Sequence, residues 1–371
     1  MQLVPLEGTH TRATIKTPNF ANSCASNSAT GTTVCSANNT DVYIIKGSTL
    51  AATLTSGATG FAPFSAGIKS CQTCGVAMDP SGNTAWLTIG LASGAPPNVV
   101  TSGFQALDLA TNKLGPPIAG FASGSLEFTA ASEAILIDPL RHLLLSPSEL
   151  GTYALVQTQA PNATFLNPIP GSVMDSAAED CTTGITVAPL EEPSSGFLVA
   201  DLTRATFTPG TPFGSWTAPN QIQDLPEIGG GLWTAMAVAP KSHLAIVTQT
   251  EDFTDAIGVI QLPSSSGTGT PAVVDWAMVN HVVRVPPYED YISGGDPHVV
   301  SAYVSPNDGK AYGVIADFPT ASGLYLGRQF IAIVDLQGIL DAPRTPGTHN
   351  VIPYPTFDVV KAGLVRFVSV H

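Results

Sequence analysis

Charge is what this sequence has least of. Only 11% of its 371 residues are Asp, Glu, Lys or Arg, where soluble domains usually carry roughly a quarter. Cations are the scarcer sign, 14 Lys and Arg against 28 Asp and Glu, for a net charge of −14. Affinity for phosphate backbones and anionic lipid comes from Lys and Arg, so the charge balance disfavours anionic membrane surfaces and no nucleic-acid partner is expected. No apolar run reaches the ~18 residues that a membrane-spanning helix needs, and no long stretch repeats its apolar residues at helical period. The opening Met1-Gln2-Leu3-Val4-Pro5-Leu6-Glu7 lacks the basic and apolar regions of a signal peptide. Low lysine, abundant Ser, Thr and Asn, and closely spaced cysteines nevertheless lean towards an exported chain whose signal has been removed. The expected location is secreted, periplasmic or cell-surface.

Catalytic motifs are also missing. His-Glu-x-x-His and Gly-x-Ser-x-Gly do not occur, and the glycine runs lack the strand-to-helix setting of phosphate loops. Cys71-x-x-Cys74 is followed by Gly75 rather than His, which excludes covalent haem attachment, and no second pair completes a zinc site. No nucleotide, haem or flavin is expected. A local disulfide between Cys71 and Cys74, and another between Cys24 and Cys35, are the structural readings, leaving Cys181 as a free thiol.

What the chain has is 35 Gly, 31 Pro and a recurring short apolar run that stops at proline. Gly75–Pro80 is echoed by Ala134–Pro139, Gly184–Pro189, Ala235–Pro240 and Ser301–Pro306, and each run is followed by a second apolar run. A repeat of 50 to 66 residues built from strands and turns is the pattern of a β-propeller blade. The expected fold is all-β, one propeller over 42–371 preceded by an irregular arm over 1–41. Each proline-stopped run is read as the inner strand of a blade. Asp41–Lys46 and Thr49–Leu54 form a hairpin pattern around Gly47-Ser48, and 363–370 reads as an inner strand with no outer strands after it. Pairing that last strand with the hairpin closes a ring of six blades. Seven is the alternative, if 1–41 or 263–295 hides another.

The text GVAMDPSGNTAWLTIG…GFQALDLATNKLGPPI, over Gly75–Gly90 and Gly103–Ile118, resembles the blade repeat of the YVTN and NHL-type propellers. Their repeat passes from an inner strand through a polar turn and a second strand to a third strand ending in an Asp-Leu-Ala-Thr-Asn-like turn. As a pattern the resemblance covers most of 60–371, and it implies fold rather than activity. More distantly, blade count and an acid-rich channel mouth are similar to the SMP-30/gluconolactonase propellers, which implies hydrolysis of a lactone or ester with a divalent ion. The Glu-Gly-Pro-x-Trp opening of that family is absent here.

In a propeller the residues just before each inner strand gather at the channel mouth. Here they include Glu133, Glu179, Asp180, Cys181, Trp233, Asp296 and His298, and second-strand exits are read as adding Glu149, Asp201, Asp252 and Asp317. Carboxylates around one mouth suit a hard divalent cation such as Ca2+, which takes six to eight oxygens. Glu133, Glu179, Asp180, Asp296 and His298 are the expected ligands, with His298 and Asp296 the catalytic candidates if the ion activates water. The same acids also serve as turn caps. Cys181 and His298 stand equally far before their prolines, which leaves open a thiol and imidazole acting together or a buried thiol that only packs. Trp233 could stack on a sugar at the rim. The leading expectation is a binding or assembly module whose acidic face takes a small molecule, glycan or protein. A calcium-dependent hydrolase and a self-associating structural protein are the alternatives.

Overall fold

A computed structural model describes residues 2–3, 13–19, 21–27, 29–37, 41–54, 75–80, 83–93, 99–116, 118–119, 135–147, 153–159, 163–166, 174, 176–190, 196–205, 214–215, 222–223, 232–239, 241–250, 256–264, 275–280, 296–318, 329–341 and 357–362. Among them are six sheets of four or five strands, numbered I to VI in chain order, and a small pairing of Gln2–Leu3 with Ala13–Thr14. The chain divides into two compact units. One comprises Met1–Pro170, Thr206–Trp216 and Ser369–His371, and the other Gly171–Ala205 and Thr217–Val368.

The first unit holds sheets I to III. Sheet I runs Ala21–Asn27, Thr32–Ala37, Val42–Lys46, Thr49–Leu54 in spatial as in chain order. Sheet II is built from Val76–Met78, Thr84–Ser93, Val99–Asp108 and Lys113–Leu114, with Ile118–Ala119 also on the third strand. Sheet III is built from Leu136–Asp138, Leu143–Pro147, Tyr153–Gln157 and Ala163–Leu166, and Gly214–Ser215 adds a parallel edge. The second unit holds sheets IV to VI. Sheet IV has Ala178–Asp180, Ile185–Leu190, Gly196–Asp201 and Ile222–Gln223, and sheet V has Leu232–Ala239, Leu244–Thr250, Ala256–Gln261 and Asp275–Asn280. Sheet VI has Asp296–Val304, Ala311–Phe318, Gln329–Asp335 and Phe357–Ala362, with a short helix, Leu336–Asp341, after its third strand.

Consecutive strands pair antiparallel, so the first-to-second and third-to-fourth connections leave one end of each sheet, here the turn end. The other connections leave the opposite, or loop, end. The first-to-second turns are only four to six residues long in all six sheets. Five of the six place a left-handed residue near their close, Gly31 (φ 61°), Gly184 (φ 76°) and Gly309 (φ 74°), and His142 (φ 55°) and His243 (φ 59°). Glycine takes that conformation without a Cβ clash, whereas histidine holds it at a cost of about 1–2 kcal/mol. The carbonyl at this turn position then accepts an N–H from the end of the third strand: Gly47 to Gly31, Leu109 to Asn83, Thr158 to His142, Leu202 to Gly184 and Leu262 to His243, at 2.7–2.9 Å.

Apolar seams join neighbouring sheets within each unit. Val34, Ile44, Val76, Leu87 and Leu107 pack together between sheets I and II, and Trp86, Phe104, Ile135 and Leu144 between II and III. In the second unit Val187, Phe197, Val247 and Ile260 fill the IV–V seam, and Ile246, Ile257, Val299, Ile315 and Val334 the V–VI seam. Burying a side chain of this size stabilises by roughly 1.5–3 kcal/mol. Hydroxyls stitch the same seams: Ser23 Oγ accepts the N–H of Val76 at 3.3 Å, Ser176 Oγ that of Met236 at 3.2 Å, and Thr248 Oγ1 that of Val299 at 3.3 Å.

Three expectations are corrected. The stretch 1–41 is not an irregular arm, because Ala21–Asn27 and Thr32–Ala37 are the first two strands of sheet I, and the boundary drawn after residue 41 falls inside that sheet. The inner place beside the 42–54 hairpin is therefore filled locally, while 363–370 lies outside the described residues. Gly184–Pro189 is not a first strand: Ile185–Leu190 is second in sheet IV, after Ala178–Asp180. In 263–295, finally, Asp275–Asn280 belongs to sheet V as its fourth strand.

Candidate functional site

At the turn ends, the polar chemistry is built around carboxylates that close strands. Asp138 ends the first strand of sheet III, and its Oδ1 accepts the N–H groups of Leu140 (2.9 Å) and Arg141 (3.0 Å). Asp180 does the same in sheet IV, accepting from Thr182 N at 3.0 Å and from the Thr182 hydroxyl. In sheet I Asn27 takes the equivalent place, with Ala29 N at 3.0 Å on its Oδ1, and in sheet VI Ser305 Oγ accepts Asn307 N at 3.1 Å. These are Asx- and Ser-type turns, in which a side-chain oxygen stands in for a backbone acceptor. Asp201 ends a third strand and caps the turn Leu202–Arg204 through Thr203 N at 2.9 Å.

Four turn-end carboxylates are buried, Asp138, Asp180, Asp201 and Asp335, the last of which ends the third strand of sheet VI, and burial of an unpaired charge is costly. Three of them are matched by a cation. Arg141 meets Asp138 at 2.8 Å, Arg204 meets Asp201 at 3.6 Å, and Lys310 Nζ meets Asp335 at 3.1 Å. The Asp335 carboxylate beside it raises the pKa of Lys310, and hydrogen bonds, first from the Lys310 N–H and then from the Tyr312 hydroxyl, lower that of Asp308. Asp180 differs from the other three. Its partner is His243 Nδ1, in the first-to-second turn of the next sheet.

The carboxylate fixes the ring by its Nδ1, as in sites where a carboxylate orients a catalytic or metal-binding histidine. Here, however, both side chains stand at positions that set a turn, and His243 also lends its carbonyl to Leu262 N and Gln261 Nε2. Among the described residues no group of three or more His, Cys, Asp or Glu could hold a metal ion. The pair is a clasp between sheets IV and V.

The residues singled out in the sequence divide between the two ends. Glu179 and Asp180 lie in the first strand of sheet IV, with Asp180 closing it, and Cys181 begins the turn as a partly exposed cysteine that forms no disulfide. Asp201 is at the turn end too, having ended a third strand and not a second one. Asp296 and His298 open the first strand of sheet VI, and Asp317, paired with Pro297, reaches the same loop end. Trp233 is near the start of the first strand of sheet V. Asp180 and Asp201 are thus separated from the loop-end group of Asp296, His298 and Asp317 by the length of a strand, and no single mouth contains all of them. Glu133, Glu149, Asp252, Cys71 and Cys74 lie outside the described residues. Cys24 and Cys35 face each other across the first two strands of sheet I and form a disulfide.

His243 was legible as a turn residue but not as the partner of Asp180. Aligning Asp180-x-x-x-Gly184 with Asp138-x-x-x-His142, instead of aligning the prolines, puts both in the same repeated turn and gives the signal that was missed.

No family profile matches the chain, and no curated protein matches it in sequence. Solved structures do. The β-propeller domain of Cps50 (Swd1) from Myceliophteria thermophila aligns over 93% of this chain and 87% of its own, with a TM-score of 0.56 and 9% identity. The fold is a β-propeller. Hydrazine synthase of Kuenenia stuttgartiensis aligns over 86% of this chain and 78% of its own, with a TM-score of 0.53 and 10% identity. At such identities the likeness concerns the propeller frame alone, on which many functions are carried.

Proposed function

We propose that this propeller is a binding module that takes a cationic partner at the loop ends of its sheets. The observation that carries the reading is the contrast between the two ends. At the turn ends the buried acids among the described residues are engaged in capping and in ion pairs or, for Asp180, in a hydrogen bond with His243. The segments that leave the loop ends of sheets IV to VI hold Glu191, Glu192, Asp224, Glu227, Glu251, Asp252, Asp255, Glu289 and Asp290, nine acids, against Arg284, Arg328 and Arg366. An excess of one sign at one end steers oppositely charged partners and sets specificity. A protein with an exposed basic segment fits this surface best, and the six sheets support a six-bladed ring of the YVTN-like binding type. The disulfide in sheet I supports a location in an oxidising compartment, secreted, periplasmic or cell-surface.

Calorimetric titration with a lysine-rich and a glutamate-rich peptide tests the proposal, using the wild type and the variants E251Q/D252N/D255N and E289Q/D290N. Selective binding of the lysine-rich peptide, weakened by salt and by both variants, is expected. Equal binding by wild type and variants, or none, overturns it. Running the series with Ca2+ and with chelator, beside a lactone and ester panel, covers the rival reading: turnover abolished by chelation would replace the binding module with a metal-dependent hydrolase.

A further inference from the structure

We draw no further inference here: the strongest candidate, the Asp180–His243 pair at the turn ends of sheets IV and V with the thiol of Cys181 next in the chain, carries nothing because its hydrogen bonds lie within the cluster and the turns it closes, and nothing in the structure points to a ligand there.

Discussion

His243 Nδ1 donates to Asp180 Oδ2 across the seam between two consecutive sheets, so a turn of sheet V satisfies the buried carboxylate that closes the first strand of sheet IV. Removing either partner leaves the other with an unmet bond. Asp180→Ala and His243→Ala should each cost about 1–3 kcal/mol. Because the two act on one contact, the double variant should lose less than the sum of the singles by at least ~0.5 kcal/mol. Urea midpoints of the four proteins give the coupling, and strict additivity would show that the pair adds nothing to the seam.

Gly313, in the second strand of sheet VI, marks how closely sheets V and VI approach. A Cβ there would collide with Ile246 Cδ1 and come within 3.1 Å of Leu336 Cδ2. Gly313→Ala should therefore destabilise by about 1–3 kcal/mol through overpacking. Ile246→Val removes the colliding methyl at a cost of its own of about 0.5–1.5 kcal/mol. Combined with Gly313→Ala it should restore part of the loss, which thermal melts of the single and double variants will show.

The Cys24–Cys35 disulfide ties the first two strands of sheet I where they lie directly opposite each other. Replacing both cysteines by serine should lower stability by about 2–4 kcal/mol. Peptide mapping without reduction should recover the two cysteines as one linked species. Cys181, partly exposed, should alkylate under the same conditions. A Cys24 that alkylates without reductant contradicts the assignment.

Acid should weaken the turn of sheet VI in a way traceable to Asp308. Hydrogen bonds from the Lys310 N–H and the Tyr312 hydroxyl lower its pKa in the folded state. A carboxyl whose pKa is lowered by folding contributes its full stabilisation above its unfolded value and loses it as pH falls through the lower folded one. The loss should therefore be confined to strongly acidic pH, below the ordinary aspartate range. Asp308→Asn should show a smaller fall in stability than wild type when urea midpoints at pH 6 and pH 3 are compared. Equal falls would show that Asp308 does not report on folding.

Most of the frame could be read from the order of residues, because buried strands such as Ala245-Ile246-Val247 and Val314-Ile315 are apolar and bounded by turn residues. Strand made of small polar residues carries no such signal. Ala21–Asn27 and Thr32–Ala37 read ANSCASN and TTVCSA, yet all of Thr32–Ala37 is buried. Their place is decided by neighbours: Ser23 bonds to Val76, Asn27 to Asp79, and the disulfide joins them to each other. Strand preference depends on such surroundings more than helix preference does. The first strand of sheet IV, Ala178-Glu179-Asp180, has one apolar residue in three, so the apolar pattern of the sequence points to the second strand instead. That shift moved Asp180 to the wrong end of its sheet and hid its partner. The loop-end acids could be counted in the sequence, whereas whether they converge depends on contacts between segments far apart in the chain.

Sheet I is made wholly from Ala21–Leu54, and its two cysteines are 11 residues apart. In a chain delivered from the ribosome into an oxidising space, both thiols and all four strands of that sheet emerge before any other cysteine does. At roughly 5–20 residues per second, Cys71 follows Cys35 by a few seconds, and Cys181 comes later still. Order of synthesis therefore favours the native pairing over its rivals, since the correct partner is at first the only one on offer.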